Sequence, residues 1–92
     1  MEVVIFVDEC YRERYPIEKR RAISQFIDEA VFELQRVPLK GESIQIIIGG
    51  NGFFGKVTDD PYVRISFTNG YMKEDYCVSI DLDTVDLGGY KK

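Results

Sequence analysis

Val3-Val4-Ile5-Phe6-Val7 puts five apolar side chains in a row, and this run constrains the fold more than any other feature of the chain. Successive side chains of an extended strand point to opposite faces, so an unbroken apolar run is apolar on both. Such a strand belongs inside a sheet, with neighbours on its edges and cover above and below. Glu2 and Asp8 bracket it and no basic segment precedes it. It therefore does not read as a signal peptide, and it is far too short to cross a membrane. A cytoplasmic protein without a membrane partner is the expectation.

Further along, the period changes. Ala22, Ile23, Phe26, Ile27, Ala30, Val31, Leu34 and Val37 recur at helical spacing, with Pro16 ahead of them and Pro38 and Gly41 behind. The stripe predicts one long amphipathic helix over 17–37. Beyond it apolar residues alternate: Ile44, Ile46 and Ile48, then a segment over 53–58, then Val63, Ile65 and Phe67, then Tyr76, Val78, Ile80 and Leu82. Each predicts a strand.

The expectation is a single domain over 1–92 of the α+β class. Its four- to five-stranded sheet is mostly antiparallel, in the order strand-helix-strand-strand-strand-strand. The long helix packs on one face, and a crossover carries the first strand to a parallel neighbour. In the last hairpin Val63 is expected opposite Ile80, Ile65 opposite Val78 and Phe67 opposite Tyr76, leaving Asn69 to Glu74 as the loop. Errors in that register come in steps of two, because an odd slip turns a polar row into the core. One helix covers one face only, so Val4, Phe6, Ile47 and Phe54 ask for cover on the other. Either the sheet curls into a partial barrel or a second chain supplies it.

Residues 49–55, "GGNGFFG", resemble the opening of NAD-dependent epimerases and short-chain dehydrogenases, with Gly50, Gly52 and Gly55 in G-x-G-x-x-G spacing. What the resemblance implies, a bound dinucleotide, requires a helix directly after the glycines to hold the pyrophosphate. Here strand alternation resumes instead, and no acidic residue ends a second parallel strand about 20 residues on. A hairpin turning at Asn51-Gly52 explains the same letters, with Gly49 and Gly50 widening the turn. No nucleotide cofactor is expected.

Cysteines number two and histidines none, so a four-ligand zinc site would need two chains. Free thiols in a reducing compartment are expected. The missing histidine removes the commonest general base near neutral pH. Ser24, Ser43, Ser66 and Ser79 have nothing to activate them. Cys10 stands beside Arg12 and Arg14, which favours a thiolate, but it too lacks a base. No catalytic residue, cofactor or metal is assigned.

Three surfaces remain. Arg12, Arg14, Lys19, Arg20 and Arg21 face only Glu13 and Glu18 in a chain of net charge −4, which marks an anion-binding candidate. Overall acidity argues against a dedicated nucleic-acid binder. Asp81 and Asp83 share a strand face, with Glu74, Asp75 and Asp86 nearby, a pattern that suits a divalent cation. Asp8 at the end of the first strand resembles the placement in nucleases of CRISPR adaptation modules, but those have a second helix between later strands. Protection against edge-to-edge pairing explains such carboxylates equally well. The third surface is apolar: on a helix over 17–37, Phe32 projects opposite the buried stripe, among Arg21, Gln25, Asp28 and Arg36, as an interface anchor would.

The expected function is a non-catalytic small acidic interaction module, a regulator, inhibitor or immunity-type protein, which binds another protein or a second copy of itself. The alternative is an anion- or nucleic-acid-binding accessory protein that uses the basic segment. Below both stands a carboxylate metal-dependent nuclease.

Overall fold

A computed structural model describes residues 1–88. Its elements are β1 (Glu2–Val7), α1 (Tyr11–Arg14), α2 (Ile17–Phe26), β2 (Ala30–Glu33), β3 (Ser43–Ile48), β4 (Asn51–Val57), β5 (Tyr62–Thr68) and β6 (Tyr71–Asp86). The fold is mostly β, with 52% strand and 17% helix in a curled six-stranded mixed sheet.

The sixteen-residue β6 is the spine. One edge of it takes β1 in parallel, with Val3 to Val7 beside Tyr76 to Ile80. The other takes β5 along Tyr71 to Cys77 and then β4 along Ile80 to Asp86, both antiparallel. The order across the sheet is β2-β1-β6-β4-β3. β1 is thus internal, as its continuous apolar run requires. Its parallel neighbour is the last strand of the chain, and its other neighbour, β2, is antiparallel.

The expected long helix is overturned. α2 ends at Phe26, where the N–H groups of Ile27 and Asp28 both donate to the Ile23 carbonyl at 2.9 Å. Glu29 then adopts φ +61°, and its N–H reaches the Ile5 carbonyl. Asp28 secures the turn by accepting the Val7 N–H at 3.0 Å. From Ala30 the chain runs as an edge strand along β1. The physical reason is the unpaired hydrogen-bonding edge that β1 would otherwise leave against solvent. The helical stripe is two elements end to end: Ala22 and Ile23 bury from α2 and Ile27 from the residue that caps it, whereas Phe32, Leu34 and Val37 pack on the core from β2 and the connection behind it.

The core lies on the face that α1 and α2 cover. Val3, Ile5, Val7, Phe53, Val57, Val78, Ile80, Leu82 and Val85 meet Tyr11, Ala22, Ile23 and Ile27 there. Phe26 and Phe53 sit 6.5 Å apart between ring centroids in a tilted arrangement. Full burial of side chains such as Ile23 and Ile27 contributes about 1.5–3 kcal/mol each. The curl brings β2 and β3 to opposite sides of a cleft of ≈ 330 Å³ lined by Ile5, Phe32, Leu34, Ile44 and Ile46. On the other face Val4 and Cys77 are buried beside each other, and the Arg64 guanidinium lies 5.9 Å over the Phe6 ring.

The glycine stretch is a hairpin, but it turns at Gly49-Gly50, both at positive φ, with Ile48 opposite Asn51. Asn51 is buried in β4 instead of turning the chain. Gly55 faces a β-bulge: the β4–β6 register shifts between Phe54 and Gly55, and Asp83 is the extra residue. The bulge moves the inward row from Leu82 to Val85.

The last hairpin is shifted by four residues from its expected register. Val63 pairs with Tyr76, Ile65 with Glu74 and Phe67 with Met72, around a two-residue turn at Asn69-Gly70 with φ of 51° and 81°. Asn-Gly is the preferred pair for this turn, and it overrides the apolar matching that favoured a longer loop. β1 and β4 occupy the edges of β6 that the expected register would have used.

Candidate functional site

Two regions have unusual chemistry. The first begins with α1, a turn that nothing in the alternation or helical stripe announced. Tyr11 opens it and is 1% exposed; its hydroxyl lies 3.3 Å from the Ser24 Oγ of α2. With Tyr11 as floor, α1 and α2 flank an open cleft of ≈ 550 Å³ lined by Arg12, Ile17, Arg20, Arg21, Ser24 and Gln25. Among the described residues, none of these three arginines has an ion-pair or side-chain hydrogen-bond partner. The Arg12 guanidinium lies 5.6 Å from the Tyr11 ring centroid, and the Arg20 Nε is buried without a partner.

The basic segment is therefore divided. Arg12, Arg20 and Arg21 line one cleft. Arg14 is turned away and binds Asp81 at 2.9 Å and the Leu82 carbonyl. Lys19 sits 5.9 Å over the Tyr15 ring and borders a separate cleft with Glu18 and Asp86. The i, i+4 spacing of Tyr11 and Tyr15 in a polar stretch was the one sequence signal that could have placed α1.

The expected Phe32 surface does not assemble. Phe32 is half-buried in β2 and faces the cleft between the sheet edges. Arg21 and Gln25 line the α1–α2 cleft, Asp28 holds the Val7 N–H, and Arg36 forms a two-pronged pair with Glu42, one bond at 2.7 Å. That pair, with the Leu39 N–H, holds the Glu42 carboxyl down at about 2.

The carboxylates are also dispersed: Asp81 is paired with Arg14, Asp75 with Arg64 at 3.1 Å, and Asp83 projects from the bulge. Among the described residues no group of three or more His, Cys, Asp or Glu is arranged to hold a metal ion. Cys10 is exposed and free, and Cys77 is buried and free. The expected activation of Cys10 is reversed, because a hydrogen bond with the neighbouring Asp8 carboxylate pushes its thiol up despite Arg14.

The second region is the β5–β6 hairpin. Toward its turn, past Asp75 (2% exposed) and the Lys73–Glu2 pair at 3.7 Å, it leaves the body as a two-stranded arm; the molecule measures 46 × 29 × 26 Å. Its radius of gyration is 14.0 Å, against about 12 Å for a compact chain of this length. Phe67 is 75% exposed, Tyr71 79% and Met72 61%. Among the described residues β5 pairs only with β6, and no strand takes its outer edge. The alternation of Val63, Ile65 and Phe67 predicts a core-facing strand, and Tyr71 and Met72 fall in the predicted loop; the structure leaves all five exposed.

Among the described residues no helix is long and apolar enough to cross a membrane. Compared with known protein families, with curated proteins and with solved structures, the chain matches none of them.

Proposed function

We propose that the protein is a non-catalytic interaction module, working in a reducing, cytoplasmic setting, whose working element is the β5–β6 arm. One observation carries this reading: an apolar two-stranded arm projects from the body with the outer edge of β5 unpaired. An isolated hairpin is marginal in water, and an exposed apolar edge is a template for another strand. The arm gains most from a partner that adds to that edge.

The partner that fits is a second copy. An antiparallel pairing of β5 with itself about a twofold axis at Ile65 sets Tyr62 opposite Thr68, Val63 opposite Phe67 and Arg64 opposite Ser66. No like charges meet, and the apolar row matches itself, as an isologous interface requires. The segment 62–77 has two cations and two anions in a chain of net −4, so two arms approach without the repulsion of the whole molecules.

Sedimentation equilibrium tests this. The wild-type chain should be dimeric, and Ile65→Asp and Phe67→Asp should be monomeric with an unchanged far-ultraviolet spectrum, because neither side chain belongs to the core. A wild-type chain that stays monomeric across the concentration range ends self-association. A heterologous protein that binds wild type but not Ile65→Asp would keep the arm and replace the second copy.

A further inference from the structure

We infer that the cleft between α1 and α2 binds a small phosphorylated molecule. Arg12, Arg20 and Arg21 line a single cleft, and among the described residues no carboxylate neutralises them. Three unpaired guanidiniums around one concavity repel each other, so the arrangement gains stability from an anion held between them. Guanidinium forks match phosphate oxygens two at a time. The Arg20 Nε is also buried without an acceptor, a costly state that a small turn of the side chain toward a bound oxyanion would relieve.

Size and lining select the ligand class. A volume of ≈ 550 Å³ is enough to seat a small molecule. The hydroxyls of Tyr11 and Ser24, 3.3 Å apart, and the Gln25 amide offer neutral donors and acceptors beside the charges. Ile17, half-exposed at the rim, gives an organic portion an apolar contact. Arg14, which would extend a track for a nucleic acid, is paired with Asp81, and Lys19 borders a separate cleft. Nothing in this cleft depends on the arm, and the two readings stand or fall separately.

The test is an amide NMR titration of the full chain with inorganic pyrophosphate at constant ionic strength, with sodium chloride as control, in both wild type and the arm variant Ile65→Asp. Saturable shifts are expected at Tyr11, Arg20, Arg21, Ser24 and Gln25 in both proteins. Arg20→Gln and Arg21→Gln should each weaken binding about tenfold, and Lys40→Gln should leave it unchanged. The variants' own spectra report whether they are folded. Shifts that do not saturate, that chloride reproduces, or that survive Arg20→Gln would overturn the proposal. So would a single-stranded oligonucleotide that binds more tightly than pyrophosphate and perturbs Arg14 and Lys19 as well.

Discussion

The backbone N–H of Glu29 donates to the carbonyl oxygen of Ile5 at 2.7 Å, and this bond ties the end of α2 to the edge of β1. To make it, Glu29 takes a φ of +61°, a conformation that costs a residue with a Cβ about 1–2 kcal/mol. Glu29→Gly removes that strain and should raise stability by about 0.5–1 kcal/mol after glycine's larger entropy loss. Glu29→Val should lower it, because a β-branched residue tolerates this region worst. Urea unfolding midpoints of the three proteins check the order Gly above Glu above Val.

Gly55 is required by contact. A Cβ built on it would stand 2.0 Å from the Asp81 carbonyl oxygen and 2.9 Å from the Leu82 Cα. Both are backbone atoms, so relief demands that β4 and β6 separate at the bulge. Gly55→Ala should cost about 3 kcal/mol or more. Gly41→Ala, with nothing within 4 Å of its Cβ, should cost only its positive-φ strain of about 1 kcal/mol. Equal losses for the two variants in thermal unfolding would refute the close approach.

Glu42 links stability to acid. Its folded carboxyl titrates at about 2, against an ordinary value of 4.5, chiefly through the Arg36 pair. A depressed carboxyl contributes stability that is complete above the ordinary value and is lost as pH falls from there through about 2. Arg36→Ala should therefore move the Glu42 carboxyl back up, as read from its side-chain NMR shift. It should also flatten the pH dependence of unfolding between about 4.5 and 2 and leave it unaltered near neutrality.

The cysteines should differ in reactivity. The Asp8 carboxylate raises the Cys10 thiol, so the exposed thiol should react slowly with iodoacetamide near neutral pH. Asp8→Asn should accelerate it severalfold by removing the charge that opposes the thiolate. Cys77 is fully buried in β6 and should react only as fast as the protein unfolds. Labelling at each site, followed by peptide mass spectrometry, separates the two. Rapid labelling of Cys77 under native conditions would show that β6 opens locally.

Legibility along the chain follows the range of the interaction that decides each element. Short-range signals are readable: the internal position of β1 from Val3 to Val7, the start of α2 after Pro16, the alternation of β3 to β6, and a hairpin at the glycine stretch. Even the turn at Asn69-Gly70 was written in its two residues. Apolar matching competes with it, because Val78 and Ile80 offer Ile65 and Val63 better apolar partners than Glu74 and Tyr76 do. The basic segment pointed to an anion, but its division into Arg12, Arg20 and Arg21 in one cleft and Arg14 on Asp81 depended on where β6 lies.

The sequence by itself determined that β1 and β3 to β6 are extended, and that β1 must have neighbours on both edges. Hydrophobic period and turn chemistry act within a few residues, and they are legible there. Only the tertiary structure decided who those neighbours are. Residues 30–33 read as helix by spacing and became strand because β1 had an open edge nearby. The alternating residues of β5 read as core but form an exposed arm, because β1 and β4 take the edges of β6 beside its inner half. Backbone hydrogen bonding between distant segments is competitive, and the outcome of that competition is a property of the whole chain.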